Sequence, residues 1–255
     1  MKHIPNLFTL INLFFGCIAI TYILQNGIVV FNDEDQGKQF LFISPQIWMG
    51  SLFIALAAVV DFLDGFVARL FKATSALGKQ LDSLADAVSF GVAPGMIVYQ
   101  FLRSGYANMP DALNIPIIGL LPAFLIPCAA AYRLGKFNLD DSQQYGFKGV
   151  PTPAVGILVA SFPLIFWESH NDMAVELLKN IWVWYGIIAV LSYLMVSNLP
   201  LMALKFKNFS VKSNFPKLIL LLAAIIAAIF LKWLAVPVVF ILYIILSLAF
   251  KNKTT

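Results

Sequence analysis

The sequence predicts an all-α polytopic membrane protein, and three observations carry that prediction. Of its 255 residues, 60% are hydrophobic and only 12% are charged, and the mean hydropathy is +0.86. A soluble chain carries about 25% charged residues. The apolar residues gather into runs close to the ~20 residues that a helix needs to cross a bilayer. The lysines and arginines between those runs fall mostly in alternate loops, and so on one side. This composition excludes a soluble enzyme, a disordered chain and a disulfide scaffold. The net charge of +4 belongs to the loops and marks no nucleic-acid surface.

Eight helices are predicted, over 6–25, 46–71, 78–103, 113–135, 152–168, 174–200, 215–231 and 234–250. Within lipid the backbone must satisfy its own hydrogen bonds, so such runs form helices and not strands. The first follows Met1-Lys2-His3, is too long for a signal-peptide core and lacks a small-x-small cleavage site, so it is expected to remain as a span. The link between the second and third, about 72–77, is short enough to make them antiparallel neighbours. The fifth carries prolines near its ends, and Lys232 divides the last two. No repeat, low-complexity tract or soluble appendage interrupts a single membrane domain.

Basic residues set the orientation. With the N-terminus inside, the cytoplasmic side receives Lys2, then Arg69, Lys72 and Lys79, then Arg133, Lys136 and Lys148, then Lys205, Lys207, Lys212 and Lys217, and finally Lys251 and Lys253. Only Lys38, Arg103, Lys179 and Lys232 fall opposite, whereas the acidic Asp33, Glu34, Asp35, Glu168, Asp172 and Glu176 lie outside. Both termini are therefore expected in the cytoplasm. The basic side would also attract anionic membrane lipids.

Four carboxylates interrupt this apolar pattern. Asp61, Asp64, Asp82 and Asp86 sit in or at the edge of apolar helices, where each costs about 2.5–3.5 kcal/mol to place. Asp61 and Asp64 share one helix face, and Asp82 and Asp86 share another. The short link brings both pairs to similar depth in a cavity open to the cytoplasm. Cys17 and Cys128 lie within apolar runs, and His3 and His170 are far apart in sequence. A metal here must be held by oxygen, which suits Mg²⁺ or Mn²⁺. One divalent ion cannot neutralise four carboxylates; a pair can, as in two-metal phosphoryl-transfer sites. A cation-coupled transporter also buries acids. Transporters often pair broken helices near the midplane, whereas these acids cluster in one hairpin near one face.

The residues between the acids sharpen the reading. From Asp61 the chain runs D-F-L-D-G-F-V-A-R-L-F-K-A-T-S-A-L-G-K-Q-L-D-S-L-A-D, and this resembles the signature D-x-x-D-G-x-x-A-R-x8-G-x3-D-x3-D of the CDP-alcohol phosphatidyltransferases, with every fixed position matched. The resemblance implies a six-helix core, here 1–200, followed by two additional helices in 201–255. It also implies CDP-diacylglycerol as donor, two ions held by Asp61, Asp64, Asp82 and Asp86, Asp86 as general base, and a homodimer. Gly65 and Ala68 remove bulk beside Asp61 and Asp64, so a nucleotide can approach the backbone. Arg69 offers a planar fork to phosphate oxygens, and Gly78 permits a second close approach. Asn6 and Thr9 resemble nucleotide-contacting positions of the family; helix capping and polar packing are their structural alternatives.

Three further stretches bear on the acceptor: I-P-N-L-F-T-L-I-N-L-F-F-G near the start, D-A-V-S-F-G-V-A-P-G over 86–95, and R-L-G-K-F-N with F-K-G-V-P-T-P-A over 133–138 and 147–154. They are similar to the serine-using, membrane-integral branch of the family. This implies L-serine as acceptor and a cytoplasmic-face active site in a prokaryotic cell membrane. Relatives commonly show R-L-A-R-F-N, where this chain has Gly135 and Lys136; lysine keeps the charge but loses the bidentate fork. Arg133, assisted by Lys136 and Lys148, is expected to hold the serine carboxylate. Glycerol 3-phosphate or inositol phosphate acceptors would use the same cations, so the basic cluster does not discriminate by itself.

Overall fold

The computed structural model describes residues 4–25, 29–33, 38–42, 46–70, 75–107, 109, 115–139, 147–168, 172–202 and 211–250. Lys2, His3, Glu34, Asp35, Lys72, His170, Lys205, Lys207, Lys251 and Lys253 lie outside the described residues. The fold is all-α and polytopic, as composition demands. Among the described residues, five helices are long and apolar enough to cross a membrane, or six if one bent pair is a single span.

Helix α1 (Ile4–Leu24) lies along α2 (Ile47–Leu70), and a hairpin of β1 (Val29–Asp33) and β2 (Lys38–Phe42) connects them. Then comes one long helical run: α3 (Ala76–Asp86), a π-helical stretch over Ala87–Val92, and α4 (Ala93–Ala107). Ser75 starts it by accepting a hydrogen bond from the Gly78 backbone N–H at 2.9 Å, which satisfies one of the free donors of a first turn. The next run, expected from 113, begins after Pro116: α5 (Ile117–Leu120), a 3-10 turn and α6 (Leu125–Leu139). Proline's fixed φ suits a helix start.

The later expected spans differ in kind. Helix α7 (Thr152–Glu168) has 17 residues, at the short limit for a crossing. The single span expected over 174–200 is two helices, α8 (Asp172–Lys179) and α9 (Ile181–Val196), bent by 77°. The break falls at Asn180, whose side chain accepts from the Trp182 N–H at 2.9 Å and so caps a new helix. Helices α10 (Val211–Leu231) and α11 (Ala235–Ala249) follow one another through a 3-10 turn at Lys232–Leu234. Lys232 has φ 49°, and the two helices pack on one another. A short pair, β3 (Phe147–Lys148) with β4 (Pro200–Leu201), closes the end of the fold beside α6 and α9.

In lipid, helices are held by close packing and not by the exclusion of water. Helix α7 approaches the π-helical stretch at Gly156, where an added Cβ would lie 3.0 Å from the Phe90 Cα. The core is continuous from Ile23 and Ile54 through Phe90 and Ile97 to Trp184 and Ile188. At one end, Trp184 stacks on Phe101 with centroids 4.6 Å apart and meets Phe162 edge-on at 5.3 Å.

Candidate active site

The second and third apolar runs cross so that Asp61, Asp82 and Asp86 converge. Each offers a carboxylate oxygen, and these atoms all lie within 4.8 Å of one another. Asp82 and Asp86 are on successive turns of α3, and Asp61 comes from α2. Asp64 is also buried, but its carboxylate is taken by the Thr9 hydroxyl of α1. It remains in electrostatic contact with Asp61 and Asp82. Helix α1 thus supplies the third wall of the site.

A cleft of about 690 Å³ opens beside these acids. Asn6, Thr9, Asp61, Asp64, Gly65, Arg69, Gly78 and Asp82 line it, together with Phe62, Ser75 and Lys79. Asn6, Thr9, Gly65, Arg69 and Gly78, singled out in the sequence as donor-binding positions, therefore face one space. Gly65 has nothing within 4 Å of where a Cβ would stand, and at Gly78 a Cβ would meet Asn6 Oδ1 at 3.1 Å. Ala68 lies on α2 between Gly65 and Arg69.

The residues expected at the acceptor end are placed differently. Arg133, near the end of α6, is 6% exposed, donates from Nη1 to Thr152 Oγ1 at 3.3 Å and lies over the Phe137 ring. It is in electrostatic contact with Asp86. Lys136 donates to Asn198 Oδ1 at 2.6 Å, and Lys148 is in β3. Lys136 is not among the residues that line the cleft. Arg133 is thus buried on α6, which packs against α3 and the π-helical stretch that follows Asp86, whereas Lys136 ties α6 to the chain after α9.

Four polar residues not singled out in the sequence join the site: Asn12, Ser83, Ser89 and Asn138. Asn12 of α1 is fully buried and donates from Nδ2 to Asp86 Oδ1 at 3.2 Å. Its backbone carbonyl accepts from Ser89 Oγ at 3.0 Å. Asn138 of α6 donates to Ser83 Oγ at 2.7 Å, and its carbonyl accepts from Lys79 Nζ at 3.0 Å; these bonds fasten α6 to α3. The signal for Asn12 was present. Asn6, Thr9 and Asn12 recur at a spacing of three on an apolar helix, which makes a polar stripe on one face.

Three carboxylates at such separations repel one another unless positive charge is added. Their all-oxygen donor set, with no thiolate or imidazole beside it among the described residues, fits hard divalent cations. The cleft leading to them can hold a large anionic ligand, with Arg69 and Lys79 on its wall.

Comparison with known proteins agrees with this geometry. The CDP-alcohol phosphatidyltransferase family matches residues 2–192. A relative from Helicobacter pylori, named CDP-diacylglycerol–serine O-phosphatidyltransferase, is 33% identical over 250 residues, covering 94% of this chain and 87% of the relative. Relatives of the same name from Bacillus subtilis and Methanocaldococcus jannaschii are 32% identical over 164 residues and 36% over 109. The first covers 64% of this chain and 77% of its own length, the second 43% and 47%. The chain belongs to the CDP-alcohol phosphatidyltransferase family. It is a membrane-embedded transferase of phospholipid biosynthesis.

Proposed function

We propose that the protein transfers the phosphatidyl group of CDP-diacylglycerol to the hydroxyl of L-serine, giving phosphatidylserine and CMP. The observation that carries this reading is the cleft in which Asn6, Thr9, Gly65, Arg69 and Gly78 share one wall with Asp61, Asp64 and Asp82, with Asp86 clustered behind Asp61 and Asp82. The name shared by the relatives supports serine as the acceptor.

In this reading Asn6, Thr9, Gly65, Ala68, Arg69 and Gly78 hold the CDP-diacylglycerol head. Gly65 lets it approach α2, and Arg69 pairs with phosphate oxygens. Asp61, Asp64, Asp82 and Asp86 hold two divalent ions, Mg²⁺ or Mn²⁺. Such ions supply neutralisation of the pyrophosphate and of departing CMP. Asp86 accepts the proton of the serine hydroxyl as its oxygen bonds to the phosphatidyl phosphorus. The bond from that phosphorus to the CMP oxygen breaks, and CMP leaves with the electron pair. A carboxylate near a cation is a weak base, so Asp86 acts by orientation and by taking the proton late in the step. Arg133 anchors the serine carboxylate, with Lys136 and Lys148 adding positive field.

The same reading divides the chain into a catalytic core over 1–200 and two further helices in 201–255; the family match, which ends at 192, supports that division. It sets both termini and the cleft on the cytoplasmic face of a prokaryotic cell membrane, with the protein as a homodimer. The direct test is CMP release by purified protein given CDP-diacylglycerol and, separately, L-serine, glycerol 3-phosphate or an inositol phosphate. Serine alone should support turnover. Release with a phosphorylated acceptor and not with serine would overturn the assignment.

A further inference from the structure

Two buried polar atoms near the acidic cluster, one of them on a residue bonded to Asp86, have no hydrogen-bond partner among the described residues. Asn12 Oδ1 and Arg133 Nε are both buried without a hydrogen bond, although their residues are 0% and 6% exposed. A buried polar atom left unpaired costs about 1–3 kcal/mol, so each calls for an explanation. The orientation of the Asn12 amide is fixed chemically: an ionised carboxylate only accepts, so Asn12 must turn its NH₂ to Asp86 and leave its carbonyl oxygen free. Arg133 is held at its other end by Thr152 and keeps Nε unspent. Asp86, the carboxylate assigned to the acceptor hydroxyl, therefore has a lone acceptor on one neighbour and a lone donor on the other.

We infer that Asn12 Oδ1 receives the ammonium group of the acceptor amino acid, while Arg133 Nε takes its carboxylate. The inference rests on the proposed serine reaction and assigns it a specificity residue. The two orphan atoms match a zwitterion: a cation that only donates and an anion that only accepts. A phosphorylated acceptor alcohol has no ammonium and could offer Asn12 Oδ1 only a neutral hydroxyl, a weaker partner than a charged donor. Asn12 is also well anchored for this task. Its backbone carbonyl is held by Ser89, and Gly16, one turn further along α1, lies so close to Ser89 that any side chain there would collide with it.

The test compares two truncated acceptors as competitors of L-serine. Ethanolamine has the ammonium and hydroxyl but no carboxylate; 3-hydroxypropionate has the carboxylate and hydroxyl but no ammonium. In Asn12→Leu, the serine KM and the ethanolamine inhibition constant should rise together by about ten- to a hundredfold, the scale of a hydrogen bond to a charged group. The 3-hydroxypropionate constant should stay within about twofold. Asn12 also holds Asp86, so kcat will fall as well, and only the split between the two competitors reports ammonium recognition. An equal shift in both competitors, or in neither, would overturn the inference and leave Asn12 as a positioning residue for Asp86. Should Asn12→Leu fail to fold in detergent, Asn12→Ala is read in the same way. Wild-type protein gives an independent check: 3-hydroxypropionate must compete at least about tenfold less well than serine, and equal competition would sink the idea. Failure of serine to support CMP release by wild type would instead refute the serine reaction itself.

Discussion

Asp86 and Phe101 lie on one helical run, roughly 22 Å apart at about 1.5 Å per residue, and their surroundings contrast. Around Phe101 the polar atoms of Trp184, Tyr185 and Tyr106 are satisfied. Trp184 Nε1 donates to the Leu178 carbonyl at 2.7 Å, and the Tyr185 hydroxyl meets Tyr106 at 2.6 Å and the Gly119 carbonyl at 2.8 Å. Around Asp86, carboxylates converge, and Asn12 and Arg133 keep spare hydrogen-bonding capacity in the interior. The aromatic end is complete as a folded object. The acidic end breaks the local rules of a buried core, which is what separates a scaffold from a candidate site on the same element.

Removing cations is the harshest way to break that contrast. Chelation with excess EDTA should abolish CMP release, and Mg²⁺ or Mn²⁺ should restore it, because the clustered acids need compensation. Full activity in EDTA would show that the acids work without ions. Asp86→Asn should come next, with a loss of at least about 10²-fold in kcat and measurable binding of CDP-diacylglycerol retained, since the cleft lining is intact. Activity near wild type would move the base elsewhere.

At the aromatic end the effect should change kind. Trp184→Ala removes a stacked, hydrogen-bonded ring, and large-to-small aromatic changes cost about 3–5 kcal/mol in water-soluble cores. In lipid only the packing part is lost, so the thermal transition in detergent should fall clearly while both KM values of the folded protein hold. Arg133→Ala should do the reverse: serine KM up by about ten- to a hundredfold, donor KM nearly constant. An equal rise in both would mark Arg133 as a phosphate contact or as a structural tie between α6 and Thr152.

Much of this contrast was legible before any coordinates. The acids stood out because charge inside an apolar run is expensive, and the pairs at spacings of three and four had to share faces. What the sequence concealed was polar but uncharged. Asn12 costs little to place on a membrane helix, so it raised no alarm beside Asn6 and Thr9, and its importance depends on a contact between α1 and α3 that no local pattern encodes. The expected equality of Asp61, Asp64, Asp82 and Asp86 is likewise modified by a distant partner, since Thr9 draws Asp64 aside. Asn180 hid for the opposite reason. An apolar run reads as one span, yet a single capping side chain suffices to start a new helix within it.

The finest test uses two glycines that differ only in which end they occupy. Gly65 on α2 and Gly186 on α9 both lie within helices, and at both an added Cβ would have nothing within 4 Å. Alanine at a helical glycine stabilises by about 0.5–1 kcal/mol through the backbone freedom that glycine loses on folding. Gly65→Ala and Gly186→Ala should therefore raise the thermal transition to a similar small extent. Gly65 lines the acidic cleft, where the donor head must come close to α2, whereas Gly186 lines an apolar groove between α7, α9 and α11. Only Gly65→Ala should then raise the KM for CDP-diacylglycerol, by severalfold, with the serine KM unmoved. If both variants gain stability and neither changes the donor KM, Gly65 is an ordinary surface glycine and the donor keeps its distance from α2. A donor effect at Gly186 instead would shift the donor's lipid-facing contacts to the groove beside α9 and α11.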